Sequence, residues 1–351
     1  MNIDFDLEIK NHLAEILKLR KSTGVFTASA HSVGTGYDKA WLRDNYFSVL
    51  GFLEAGDIEV VRSTARALLG VFLKHAEKIN WAIENKPHET WQYIHARFHP
   101  ESFEEYWEEW GNRQNDAVGE VLALITELEL RGLSVAETEE EKVMVQKIVD
   151  YLINIEYWHD EDNGIWEEAM EVHASSIAAV VAALKKAHKV SWLTVPEGSI
   201  EKGEEALRAL LPRESKSKFA DLALLTILYP FHEATEEETQ VILRNVEYHL
   251  TRDKGVIRYK GDRYYNENED GYSEEAEWCM GLSWLSIIYA ERGEREKAED
   301  YLLRAQETIT EAGKIPELYY SHSEKPNENT PLCWAESMYV VALKKVRDMA
   351  R

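Results

Sequence analysis

Asn163-Gly164-Ile165-Trp166-Glu167-Glu168 leads through Ala169-Met170-Glu171-Val172-His173 into Ala174-Ser175-Ser176 and an apolar run reaching residue 188. Asn163-Gly164 is a turn signal. Ile165 and Trp166 are apolar and aromatic side chains suited to packing, and two carboxylates follow at once. The spacing predicts a helix over 172–189, rich in small residues: Ala174, Ala178, Ala179, Ala182 and Ala183. A carboxyl group held beside an indole at the mouth of a tightly packed helix has surroundings that raise its pKa. Glu167 is therefore a candidate general acid of a glycosidase. Taken alone, the pair reads more readily as a solvated acidic entry to a helix than as a catalytic group, because acidic residues favour a first turn.

Outward from this stretch, amphipathic helices recur in pairs. Apolar spacing predicts them over 6–20, 38–55, 57–79, 115–131 and 139–158, then over 199–211, 217–229, 235–250, 275–292 and 295–312. A last one begins at Thr330-Pro331 and runs to about residue 349, with proline at the favoured first position. Thr138 with Glu141 and Thr235 with Glu238 are capping-box signatures. Residues 80–113 read as a loop crowded with Trp, Tyr and His, and 254–265 as a short extended hairpin or loop. About twelve paired helices, almost no strand, and long aromatic loops at one set of ends predict an all-α (α/α)6 barrel. In such a helical toroid the loops build a central pocket. A helical-repeat solenoid is the alternative, but no unit of fixed length recurs.

The chain has 351 residues, 64 acidic and 40 basic, for a net charge of −24. So acidic a surface argues against nucleic acid and anionic membrane as partners and leaves neutral sugars open. No apolar run is long enough to span a bilayer, and the N-terminus does not read as a signal peptide. A cytoplasmic location is the default expectation. Cys279 and Cys333 lie far apart without a CxxC partner, which predicts buried reduced thiols rather than a zinc site or disulfide.

Five tryptophans sit beside charged or polar groups at predicted helix edges: Trp41, Trp110, Trp166, Trp278 and Trp334. Aromatic faces that stack on a pyranose, with carboxylates, arginines and amides for its hydroxyls, make a sugar-binding cleft. Arg43-Asp44 reads as an adjacent ion pair, with Asp44 taking sugar hydroxyls and Arg43 helping to hold the site. Arg258, beside Tyr259 and before Asp262 and Arg263, is placed for further hydroxyl contacts. Ile315-Pro316-Glu317-Leu318-Tyr319-Tyr320 holds a second isolated carboxylate in an apolar, aromatic run. With Glu167 it completes the two carboxylates a glycosidase needs, and Tyr319 or Tyr320 is the candidate for orienting it. The histidines show no metal-ligand spacing, and no phosphate loop, dinucleotide fingerprint or serine elbow is present. No metal or organic cofactor is expected.

Several ordered segments carry a family resemblance. They are Tyr37 to Asn45, Trp110 to Asp116, Asn163 to Glu168, Leu210 to Lys218, Arg258 to Asp262, Ile315 to Tyr319 and Trp334 to Ser337. In them the chain resembles glycoside hydrolase family 15, the glucoamylase, glucodextranase and trehalase family. It is also similar to the N-terminal domain of the phosphorylase kinase α and β regulatory subunits. The resemblance implies a single (α/α)6 domain over 1–351 and inverting, exo-acting hydrolysis of α-glucosidic bonds with release of β-glucose. It implies Glu167 as general acid and Glu317 as general base. It also places Arg43 and Asp44 on the non-reducing glucose, Trp110 on the pocket wall and Arg258 on the substrate, a neutral α-glucan oligosaccharide or disaccharide. Trp41, Trp166 and Trp278 join them from the aromatic pattern, with Glu168 contacting hydroxyls or supporting the acid. Neither an N-terminal β-sandwich nor a starch-binding module is expected, and homo-oligomerisation is left open. The departures are Ala276-Glu277-Trp278, where relatives have Asn-Pro-Trp, and Arg113, where some have Pro. Trehalase activity is an alternative, and so is a non-catalytic carbohydrate-binding or regulatory role.

Overall fold

The computed structural model describes residues 3–30, 36–108, 110–267 and 274–349. Among them, thirteen α-helices and four two-residue strands form a mostly helical protein. In chain order the helices are α1 (Phe5–Lys18), α2 (Leu42–Ala55), α3 (Ile58–Lys74), α4 (Ala76–Glu84), α5 (Asn115–Leu130), α6 (Glu139–Asn154) and α7 (Ala174–Ala187). They continue as α8 (Ser199–Leu210), α9 (Leu224–Leu228), α10 (Glu236–His249), α11 (Met280–Glu291), α12 (Arg295–Gln306) and α13 (Cys333–Asp348).

Burial divides the helices into two sets. In α2, α5, α7, α9, α11 and α13 nearly every side chain is buried. In α1, α6, α8, α10 and α12 a single stripe is buried and the rest is wet. The first set forms a cycle of neighbours: α2 packs on α5, α5 on α7, α7 on α9, α9 on α11, α11 on α13, and α13 back on α2. Outside it, α1 lies on α13, α3 on α2, α6 on α5, α8 on α7, α10 on α9 and α12 on α11. Small residues make the inner contacts possible. A Cβ on Gly119 of α5 would lie 3.0 Å from the Val180 side chain and 3.1 Å from backbone of α7. One apolar core runs from Ile9 to Val346.

Both expected capping boxes are formed, at Thr138 with Glu141 and at Thr235 with Glu238. Three expectations need correction. The helix read over 57–79 breaks at His75, and α4 starts after it, outside the six inner–outer pairs. The helix read over 217–229 shrinks to α9, because Lys218 and Asp221 are drawn into a charged loop. The last helix starts two residues after Pro331, with Leu332 as its N-cap. The stretch 254–265 takes the loop form of its reading, pinned where Val256 bridges to Thr251 and Trp278.

The strands staple loops at the N-terminal ends of inner helices. β1 (Ala40–Trp41) pairs antiparallel with β2 (Arg97–Phe98), just before α2. β3 (Glu277–Trp278) pairs antiparallel with β4 (Leu318–Tyr319), just before α11. Cys279 and Cys333 are buried and free. No helix among the described residues is long and apolar enough to cross a membrane.

Candidate active site

Glu167, Glu317, Arg43, Asp44, Trp41, Trp110, Trp166, Glu168, Arg258 and Trp278 all line one cavity of about 660 Å³, within the size range of small-ligand sites. Its walls are the loops that enter the inner helices and the first turns of α2 and α13. Helix N-termini therefore face it, an electrostatic setting that favours carboxylates.

The 163–168 loop is held on every side. The Asn163 carbonyl accepts from the Glu168 amide at 3.0 Å, while Asn163 N–H and side chain bond the Arg113 backbone at 2.7 and 3.1 Å. The Trp166 indole N–H donates to Asp221 at 2.7 Å. Glu167 itself has φ 62°, a left-handed conformation that strains a residue with a side chain. Gly111 accommodates this turn: a Cβ there would sit 2.8 Å from the Glu167 carbonyl oxygen, which is backbone and cannot step aside. Gly111→Ala is thus expected to lose about 1–3 kcal/mol of stability, measured by denaturant unfolding.

Glu167 keeps 22% of its side chain exposed, toward the cavity. Burial pushes its pKa up; Arg43, at 2.8 Å, pulls it down and Asp44 pushes it up, leaving it at about 7. Desolvation outweighs the ion pair here. Arg43 does not pair with Asp44 as the sequence suggested. Its guanidinium bonds Gln114 at 2.8 Å, Asp116 at 3.0 Å and Glu167. Asp44 is raised to about 6, by burial first and against Arg43. Glu168 contrasts with its neighbour. Burial raises it, but Arg258 and Lys218 more than offset that, and its net shift is downward. It accepts from Lys218 at 2.7 Å and from the Tyr259 hydroxyl at 2.6 Å.

Across the cavity, Glu317 is 1% exposed. It accepts from the Tyr37 hydroxyl at 2.6 Å and from the amides of Asn327 and Asn329 at 2.6 and 2.7 Å. Burial raises its pKa, and these three donors oppose the rise by favouring the carboxylate. The tyrosine that orients it is therefore Tyr37, not Tyr319, whose hydroxyl bonds the Thr308 carbonyl, nor Tyr320, whose ring packs on Tyr265. Tyr37→Phe removes one donor, so the Glu317 pKa rises further. If Glu317 acts ionised, the acidic limb of kcat moves to higher pH and kcat falls about 10- to 100-fold, as a pH–rate profile would record.

Aromatic rings complete the walls. Trp41 and Trp110 meet edge-on at 6.1 Å, and Arg97 lies 4.0 Å over Trp110. Arg258 grips Asp262 through two bonds of 2.7 and 2.6 Å, within 5.2 Å of the Trp166 ring, 5.1 Å of Trp278 and 5.0 Å of Tyr264. The indole N–H groups of Trp278 and Trp334 have no protein acceptor among the described residues. Tyr37, Arg97, Lys218, Asn327 and Asn329 were not singled out for these roles in the sequence. Only Tyr37 and Lys218 lay inside the segments quoted there. No cluster of three metal-ligating side chains occurs among the described residues.

The family described as glycosyl hydrolases family 15 matches residues 6–342. A probable phosphorylase b kinase regulatory subunit alpha from Caenorhabditis elegans is 30% identical over 284 residues, 66% of this chain and 23% of that protein. The chain spans between 23% and 31% of the length of the curated relatives it matches. A glycosidase variant solved in complex with glucose superposes with a TM-score of 0.83 at 19% identity, covering 98% of this chain and 97% of that one. A bacterial glucoamylase complexed with acarbose gives 0.72 at 17% identity, covering 99% and 57%. At these identities the two structures share the fold.

Proposed function

The chain belongs to glycosyl hydrolases family 15, and on that premise we propose that it is an inverting, exo-acting α-glucoside hydrolase of glucoamylase type. The cyclic order of the inner helices supports reading the fold as an (α/α)6 toroid. Glu167, protonated, donates to the glycosidic oxygen. Glu317, ionised and held by Tyr37, Asn327 and Asn329, takes a proton from water, which attacks the anomeric carbon from the opposite face. The C–O bond to the leaving sugar breaks through an oxocarbenium-like state, and the anomeric centre inverts. The single observation that carries this reading is the pair of carboxylates with different partners in one cavity. The side chain facing a cation stays high in pKa through burial, and the other is anchored by three neutral donors.

Arg43 and Asp44 are assigned to the non-reducing glucose, with Trp41, Trp110, Trp166, Arg258 and Trp278 forming the rest of its wall. Glu168, bonded to Lys218 and Tyr259, is assigned the support of Glu167 and contact with sugar hydroxyls. The substrate is a neutral α-glucan oligosaccharide or disaccharide. A ligand class of this kind is supported by the fold neighbours solved with glucose and acarbose.

A second reading, binding without cleavage, is favoured by the regulatory-subunit relatives and by the Arg43–Glu167 ion pair. Incubation with maltose, maltotriose, isomaltose and trehalose separates the two. Glucose release supports the hydrolase. Quenching of the cavity tryptophans without release supports the binding protein.

A further inference from the structure

The chemistry assigned to Glu317 depends on how its loop is held. Residues 315–319 are tied by backbone bonds on both sides: Glu317 N–H to Asn329 at 3.0 Å, Cys279 N–H to Glu317 at 3.1 Å, and Leu332 N–H to Ile315 at 3.0 Å. One further tie comes from a side chain. The Ile315 amide donates to the Glu336 carboxylate at 2.8 Å, two residues before Glu317. Glu336 stands in the first turn of α13 and is 0% exposed.

The other oxygen of Glu336 bonds the Nδ1 of His12, on α1, and His12 is 2% exposed. The opposite ring nitrogen faces Glu8 at 3.4 Å, and the Tyr339 ring meets the imidazole edge-on at 4.9 Å. Glu15 also acts electrostatically on Glu336. Burial pulls the His12 pKa down, but Glu336 and Glu8 more than offset it, so the net shift is upward. Burial raises the Glu336 pKa, and His12 and the Ile315 amide oppose the rise. A buried carboxylate without a partner is strongly destabilising, and His12 is the partner that holds Glu336 where it can bond Ile315.

We infer that His12 and Glu336 are positioning residues for the general base: a buried pair between the first and last described helices that fixes the Ile315 backbone and so the aim of Glu317. Neither residue lines the cavity. Loss of the pair therefore loosens the group that directs the attacking water without removing any sugar contact, and the effect falls on kcat rather than KM. This inference rests on the assignment of Glu317 as base.

The test compares Glu336→Ala, Glu336→Gln and His12→Ala with the parent. Glu336→Ala is expected to lower kcat at least tenfold with KM within twofold. Glu336→Gln keeps an acceptor for Ile315 and is expected to recover most of that loss; His12→Ala falls between. Hydrogen exchange followed by mass spectrometry over residues 313–320 is expected to quicken at least tenfold in Glu336→Ala and to return toward the parent in Glu336→Gln. If Glu336→Ala does not fold, His12→Ala and Glu336→Gln carry both readouts. Unchanged kcat with unchanged exchange in 313–320 overturns the inference, as does a loss that falls equally on KM. A parent that releases no glucose sinks the hydrolase reading instead. The exchange experiment then still decides whether the pair anchors the loop.

Discussion

Glu167→Gln is expected to lower kcat by about 10²–10⁴-fold, the contribution of a positioned general acid. The amide fills the same space and still accepts from Arg43, so the loop geometry is retained. Two further signatures separate this from generic damage. The first is in the pH profile. Glu167 must be protonated to act and its pKa lies at about 7, so kcat/KM of the parent falls as pH rises through that value. The variant lacks this limb. The second is in stability. A carboxyl whose folded pKa is raised contributes fully below its unfolded pKa, and that contribution is lost as pH rises through the folded pKa. Above pH of about 7 the parent bears the cost of an ionised buried carboxylate and the amide does not, so the variant should be at least as stable there. Steady-state kinetics and thermal melts across pH check both. Parent-like turnover in the variant removes Glu167 from the mechanism.

Glu317→Gln is expected to be as severe in kcat, but its stability signature runs the other way. Tyr37, Asn327 and Asn329 all donate to the carboxylate. A glutamine oxygen can keep the two asparagine bonds, but they lose their charge assistance, and the amide nitrogen forces the Tyr37 hydroxyl from donor to acceptor, at a cost of about 1–2 kcal/mol. Loss of both activity and stability in Glu317→Gln, against loss of activity alone in Glu167→Gln, is the pattern predicted by their different surroundings. Urea unfolding at neutral pH distinguishes them. Equal stability losses in the two variants would contradict the assigned environments.

Much of this was legible in the chain because periodicity and punctuation carry long helices. Capping boxes at Thr138 and Thr235 fixed two starts to the residue. The small-residue helix that starts at Ala174 proved to be an inner helix, closely packed on α5. The misreadings fell where tertiary contacts override local pattern. Asp221 is recruited by the Trp166 indole and by Lys218, which draws the start of a predicted helix into a loop. The site's membership was readable as aromatic residues beside charges, but its wiring was not. Arg43 and Asp44 are neighbours in sequence, yet consecutive residues of a helix do not face one another, and Arg43 turns to Asp116 and Glu167 instead. Tyr37 reaches Glu317 across 280 positions, a pairing that no local spacing encodes. The left-handed turn at Glu167 and its dependence on Gly111 likewise appear only in three dimensions.

The most direct test of the two-carboxylate mechanism is the anomer of the first product. Proton NMR of glucose released from maltotriose, recorded before mutarotation, should show the β-anomeric signal rising first and the α signal following by equilibration. Initial appearance of α-glucose, or no release from any α-glucoside tested, would contradict inversion by Glu167 and Glu317.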